Sequence, residues 1–223
     1  MKANKSKEKK LNKDSMSQRK ELIGHIIISL FLYVICFWDR IENIPKFPKN
    51  FLYLTQIDLY LNMIYYSFCL YDNIFYKEET KKKYNLFFNF CFTLSFVVFI
   101  MYWILIFYRN TSSKNNPSAL LIFLLHGGLF FFNFIEQYYL NPRQNPKLIQ
   151  IWYYIIFNIS YLGLLIIINK FFEIRLYHFI YGTFKEFFLF SSGSIIVTII
   201  GHVLYYYISR NDQKKNLIDV EMN

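Results

Sequence analysis

Charge is what this sequence has least of. Only 18% of its 223 residues are Asp, Glu, Lys or Arg, where a soluble domain carries about a quarter and coats its surface with them. Eight of the 25 Lys and Arg fall in the first twenty residues, so the remainder cannot cover a water-facing globule. Cysteine is scarce too. Cys36, Cys69 and Cys91 are odd in number and lie inside apolar runs, which excludes a disulfide framework and a metal-ligand spacing and leaves them as small buried hydrophobes. No glycine-rich phosphate loop or dinucleotide fingerprint occurs. The four histidines (His25, His126, His178, His202) stand in separate segments, without the clustering of a zinc or di-iron site. No cofactor is implied. No small-residue cleavage site follows the first apolar stretch, so it reads as an uncleaved anchor rather than a signal peptide.

What is present in quantity is hydrophobicity, 55% of residues, with 22% aromatic. A/T-rich codons favour Phe, Tyr, Ile, Asn and Lys, so the aromatic excess carries little functional information. The apolar residues gather into six runs: Leu22 to Trp38, Phe51 to Tyr71, Leu86 to Tyr108, Ala119 to Tyr139, Ile151 to Asn169 and Phe187 to Ile208. Each is near the roughly 20 residues that a helix needs to cross a bilayer. Between them lie the breakers: Pro45 and Pro48, the run Lys77 to Lys83, Pro117, Pro142 and Pro146. The expected fold is all-α, a polytopic membrane bundle of about six helices. Residues 1–20 read as a basic, disordered tail, 21–209 as the transmembrane domain and 210–223 as a short second tail.

The basic residues give the orientation. With the N-terminus inside, 17 Lys and Arg fall on the inner side and 8 on the outer, which places both termini in the cytoplasm. The net charge of +10 is then mainly a topology signal. Nucleic acid is not an expected partner, because the basic tail has no folded, interleaved face, and attraction of the tail to anionic lipid is a second-order effect. Asn110-Thr111-Ser112 is a glycosylation sequon on the outer side, too close to a helix end to be expected in use.

In such a chain the informative residues are the polar ones inside the spans, since each strongly polar group there costs about 2.5 to 3.5 kcal/mol on insertion scales. The second span holds Thr55, Gln56, Asp58 and Asn62. At 100° per residue, Thr55, Asp58 and Asn62 share one stripe. The fourth holds His126, Asn133, Glu136 and Gln137, of which His126, Asn133 and Gln137 share a stripe. Two polar faces on greasy helices are expected to face each other or a common cavity. Both helices run from outside to inside, with Thr55 about 6 Å and His126 about 12 Å from their starts. A Thr hydroxyl beside a neutral imidazole is the minimum for nucleophilic catalysis, the His taking the proton as the hydroxyl attacks a carbonyl and returning it to the leaving alcohol. The bland alternative is a Thr bonded to its own backbone and a His making an interhelical contact. Asp58 needs a partner, and one candidate is the other ring nitrogen of His126.

Here a resemblance enters. Tyr53-Leu54-Thr55-Gln56-Ile57-Asp58-Leu59-Tyr60-Leu61-Asn62 resembles the Leu-Thr-x-Ile-Asp-Leu element of the androgen-induced and androgen-dependent TFPI-regulating family of multi-pass membrane threonine hydrolases. The family's nucleophilic Thr falls on Thr55. Its catalytic His lies ten residues before a Glu, a spacing kept by His126 and Glu136. Gly201-His202-Val203-Leu204-Tyr205-Tyr206-Tyr207 is similar to the end of the family's last span. The likeness runs thinly from Leu22 to Ile208. It implies hydrolysis of fatty acid esters of hydroxy fatty acids. The chain departs from the family pattern at Phe123 and Gly127, each beside His126, at Gln144-Asn145-Pro146, and at His202, which replaces a Glu.

The expected function is therefore a membrane-embedded lipid ester hydrolase, in the endoplasmic reticulum or plasma membrane, with Thr55 as nucleophile and His126 as general base and acid. Asp58 is assigned to support His126, Asn62 or Asn133 to donate to an oxyanion, and Glu136 to complete the polar set. The partner is a lipid ester drawn sideways from the bilayer. The other classes are a transporter or channel with Asp58 and Glu136 as ion or proton carriers, against which no inverted repeat is discernible, and a structural subunit of a membrane assembly. Ser192-Gly193-Ser194 resembles a protease nucleophile only weakly and reads as small-residue packing, and Gly127-Gly128 reads as a place of close approach.

Overall fold

A computed structural model describes residues 2–43, 52–75, 84–109, 119–140, 147–173 and 184–221. The sequon at Asn110, the loop Gln144-Asn145-Pro146, His178, the run Lys77 to Lys83 and all five prolines lie outside them. The described residues are helical almost throughout, and no strand occurs among them. The helices are α1 (Lys2–Asn43), α2 (Leu54–Phe75), α3 (Asn85–Arg109), α4 (119–140), α5 (Ile151–Phe172) and α6 (Phe184–Glu221). Proline interrupts none of them, and the long-range apolar character of each run favours the one conformation that satisfies its own backbone in lipid.

Five of the six are long and apolar enough to cross a membrane: α1, α3, α4, α5 and α6. The sixth, α2, has the length, 22 residues, but Gln56, Asp58, Asn62, Asp72 and Asn73 lower its hydropathy. All six expected segments are helices, and a multi-pass membrane bundle is the fold. The two tails differ from expectation. α1 starts at Lys2 and α6 runs to Glu221, so residues 2–20 and 210–221 continue their spans as helix. Neither contains Pro or Gly, and straight-chain Lys, Glu and Gln keep helix propensity high where no apolar pattern announces it.

Cross-helix contacts fix the directions. At one end, His25 of α1 meets Asn73 of α2 and Glu136 of α4, Phe88 of α3 meets Tyr205 of α6, and Asn89 of α3 bonds Gln150 just before α5. At the other, Arg40 of α1 bonds Gln56 and Tyr60 at the start of α2. Successive helices thus alternate in direction, and α2, α4 and α6 run parallel. α3 is the central helix: its apolar window is 56% buried, against 33–44% in the other spans. α5 ends at Glu173, held in the left-handed region at φ 54° with its N–H on the Asn169 carbonyl. The outer faces carry exposed Ile, Leu and Phe, such as Ile27, Leu30, Ile156 and Phe171, as lipid contact requires.

Candidate functional site

Between α2, α3 and α4 lies a buried polar layer. Asp58, Asn62, Ser95 and Asn133 are each 99–100% buried. Asp58 Oδ1 accepts from Asn62 Nδ2 and Ser95 Oγ, both at 2.8 Å. Asn133 Nδ2 donates to Asn62 Oδ1 at 2.8 Å and to Ser95 Oγ at 3.0 Å, and the Tyr66 hydroxyl donates to Asn133 Oδ1 at 3.1 Å. The polar faces of α2 and α4 do meet, as their stripes require. Ser95 joins them from a third helix that sequence reasoning passed over, although a serine inside the run Leu86 to Tyr108 was signal enough.

One turn nearer the termini, Glu136 receives the His25 Nε2–H, 3.0 Å from each carboxylate oxygen, and the Tyr65 hydroxyl at 3.2 Å. Asn73 donates to His25 Nδ1 at 2.7 Å. His25 and Glu136 are both fully buried, and pairing with a neighbour is what allows such groups to stay there. Glu136 thus serves α1 and lies more than two turns from His126.

His126 sits in a π-helical turn, Leu124–Gly128, one of two that interrupt α4. Such turns are rare and frequent at functional sites. Asn133 and Gln137 are fully buried, whereas His126 is partly buried. Its ring stacks on Tyr102 of α3, centroids 3.7 Å apart. Nδ1 lies 2.9 Å from the Ile122 carbonyl. Only a donor can bond a carbonyl, so the proton is on Nδ1 and Nε2 carries the lone pair. Nε2 has no hydrogen-bond partner among the described residues. The Asp58 carboxylate therefore does not hold the other ring nitrogen. A backbone carbonyl takes that place, while Asp58 Oδ1 is engaged by Asn62 and Ser95 and its Oδ2 has no hydrogen-bond partner among the described residues.

Thr55 is half-buried, and its hydroxyl has no hydrogen-bond partner among the described residues. Its height follows from register. The bonds Asn62–Asn133 and Tyr65–Glu136 both join residues 71 apart in sequence on two parallel helices. Thr55 and His126 are 71 apart in sequence as well, seven residues before Asn62 and Asn133, with His126 inside the π turn Leu124–Gly128. α2 also approaches the π turn itself, with Cα atoms within 8 Å. The amide N–H groups of Asn62 and Asn133 are already engaged, so the assignment of either as an oxyanion donor is replaced by a structural one: they tie the helices in this register.

Two readings of glycine change as well. A Cβ at Gly127 or Gly128 would come no nearer than 3.5 Å to any neighbour, so neither is needed for close packing. The close approaches are at Gly201, where it would meet Phe96 Cδ1 at 2.7 Å, and at Gly24, against Leu140 at 2.5 Å. Ser194 is a packing residue, buried and bonded to Asn158 and the Ser191 carbonyl.

The model of the FAR-17a/AIG1-like protein family matches residues 20–211. The chain belongs to this family. The match spans α1 to the middle of α6, and with the five apolar helices it makes the chain an integral membrane protein. No curated protein and no solved structure matches the chain.

Proposed function

We propose that the protein hydrolyses a carboxylic ester of a long-chain lipid inside the membrane, with Thr55 as nucleophile and His126 as base. The observation that carries this is the state of His126: Nδ1 is fixed by the Ile122 carbonyl, Tyr102 fixes the ring plane, and Nε2 is left with a free lone pair. The shared offset with the Asn62–Asn133 and Tyr65–Glu136 bonds supports Thr55 as the hydroxyl it serves.

In the first step the Thr55 Oγ–H proton moves to Nε2 while Oγ forms a bond to the ester carbonyl carbon. The tetrahedral intermediate collapses, the C–O bond to the alcohol breaks, and the alcohol leaves with the proton from Nε2. A water then attacks the acyl-threonine with the same proton traffic and releases the acid. Membership of the family supports fatty acid esters of hydroxy fatty acids as the substrate class, and an endoplasmic reticulum or plasma membrane setting with both termini cytoplasmic. The strongly polar span residues Asp58, Asn62, Asn133, Glu136 and Gln137 are buried, and a substrate dissolved in the bilayer reaches the site sideways between helices.

The test is fluorophosphonate labelling and ester turnover of the purified protein. Thr55→Ala and His126→Ala should abolish labelling and lower turnover at least 100-fold, the scale of a positioned base. A folded wild type that neither labels nor turns over any long-chain ester ends the proposal and returns the polar layer to a purely structural or transport role.

A further inference from the structure

A second concentration of unsatisfied polar atoms lies near the termini end of α3, α5 and α6. Asn89 Oδ1, Thr93 Oγ1, the Tyr154 hydroxyl and both ring nitrogens of His202 are buried without a hydrogen-bond partner. They belong together. Asn89 and Thr93 share a face of α3 one turn apart, the Thr93 hydroxyl lies beside that of Tyr154, and the Tyr154 and His202 rings are 5.2 Å apart. Natural interiors leave few such atoms open, because each costs roughly 1–3 kcal/mol. The approaches of Thr93 to Tyr154 and of the Lys147 backbone to His202 are too loose to satisfy these atoms, and the cluster calls for an occupant.

Beside them opens a cleft of about 420 Å³ between α3 and α5, lined by Leu86, Phe87, Phe90, Tyr153 and Tyr154. Leu86 and Tyr153 are exposed toward the lipid. Tyr154, with Phe90 stacked on it at 5.6 Å, belongs to both: it lines the cleft and places its hydroxyl in the cluster. Thr93 and Tyr102 are nine residues apart on α3, about 14 Å along its axis, so this place is separate from His126.

We propose that cleft and cluster form a second lipid site, which takes the carboxyl head of a single-chain fatty acid with its chain in the cleft. Neither the lining nor the cluster contains Lys or Arg, so a phosphate head would meet no cation. A carboxylic acid has two oxygens and one O–H. Its carbonyl accepts from the Tyr154 and Thr93 hydroxyls, and its O–H donates to a His202 nitrogen or to Asn89 Oδ1. A fatty alcohol, with one oxygen, satisfies fewer of the five atoms. The cleft volume falls in the range of roughly 300–1,000 Å³ typical of small-molecule sites.

The experiment is photolabelling of the full chain in lipid nanodiscs with a diazirine-bearing palmitic acid, mapped by peptide mass spectrometry. Labels should concentrate on residues 86–93 and 153–154. Palmitic acid should compete at least tenfold better than hexadecanol, and phosphatidylcholine should not compete. Tyr154→Phe and Thr93→Val each keep the ring or the shape and remove one hydroxyl, and should weaken labelling roughly tenfold. Thr55→Ala should leave it unchanged, which separates this site from the hydrolytic one. His202→Leu is read only if its thermal unfolding matches the wild type. Labels spread evenly over the lipid-facing helices, or unchanged in Tyr154→Phe and Thr93→Val, mean that water alone fills the cluster and overturn the proposal.

Discussion

Thr55 and His126 each keep a side-chain polar atom without a hydrogen-bond partner among the described residues, whereas Asn62, Ser95 and Asn133 of the polar layer are bonded across helices. Thr55 and Asp58 were legible in the sequence because polarity inside a span is costly and stands out. Their surroundings were not, since Ser95 and Tyr102 come from α3 and no spacing along α2 or α4 reveals a third helix. His126 shows what that hides. Its orientation rests on a stacked phenol ring and a carbonyl four residues back, neither of which a motif contains. Replacing Tyr102 tests the stacking. Tyr102→Phe keeps the ring and should leave ester turnover within about twofold of wild type, whereas Tyr102→Ala frees the imidazole and should lower kcat about tenfold or more with little change in KM, as expected for a group that positions the base. Equal losses in both variants would instead tie the hydroxyl to the chemistry.

At the scale of the helices, apolar length was enough to find all six, but not the charged extensions of α1 to Lys2 and of α6 to Glu221. It was not enough to see the two π turns of α4, which depend on how α4 seats against its neighbours. Nor did it tell which glycine matters. Gly127-Gly128 drew attention by adjacency to His126, yet a side chain fits at either, whereas Gly201 lies against Phe96 of the central helix with no room for a methyl group. Gly201→Ala should therefore lower the midpoint of thermal unfolding in detergent, by the roughly 1–3 kcal/mol of an overpacked contact. Pairing it with Phe96→Leu, which withdraws the obstructing ring, should recover part of the loss. Gly128→Ala should be close to neutral in the same assay. A double variant no better than Gly201→Ala alone would mean that backbone approach, not the Phe96 ring, sets the limit.

In the whole molecule buried polar contacts tie four of the helices through the apolar interior: Asp58, Asn62, Ser95 and Asn133 join α2, α3 and α4, and His25, Tyr65, Asn73 and Glu136 join α1, α2 and α4. Burial in lipid gives helices no hydrophobic reason to associate, so hydrogen bonds and close packing must supply the specificity. The His25–Glu136 contact ties the middle of α1 to the end of α4 across 111 residues, with Tyr65 and Asn73 of α2 joining it. The sequence presented Glu136 as a catalytic accessory, because its ten-residue spacing from His126 is easily read and its contact with His25 is not. The two roles predict different outcomes. Glu136→Ala takes the acceptor from the buried His25 Nε2–H and one bond from the Tyr65 hydroxyl, and should destabilise the fold by about 3 to 5 kcal/mol, the scale of a broken buried pair. Thermal unfolding should show that loss, and fluorophosphonate labelling of the molecules still folded should remain. Glu136→Gln keeps an acceptor for His25 Nε2–H, so it should recover most of the stability. A variant of full stability with no labelling would return Glu136 to the chemistry, and the register shared by Tyr65–Glu136 and Thr55–His126 would then need another explanation.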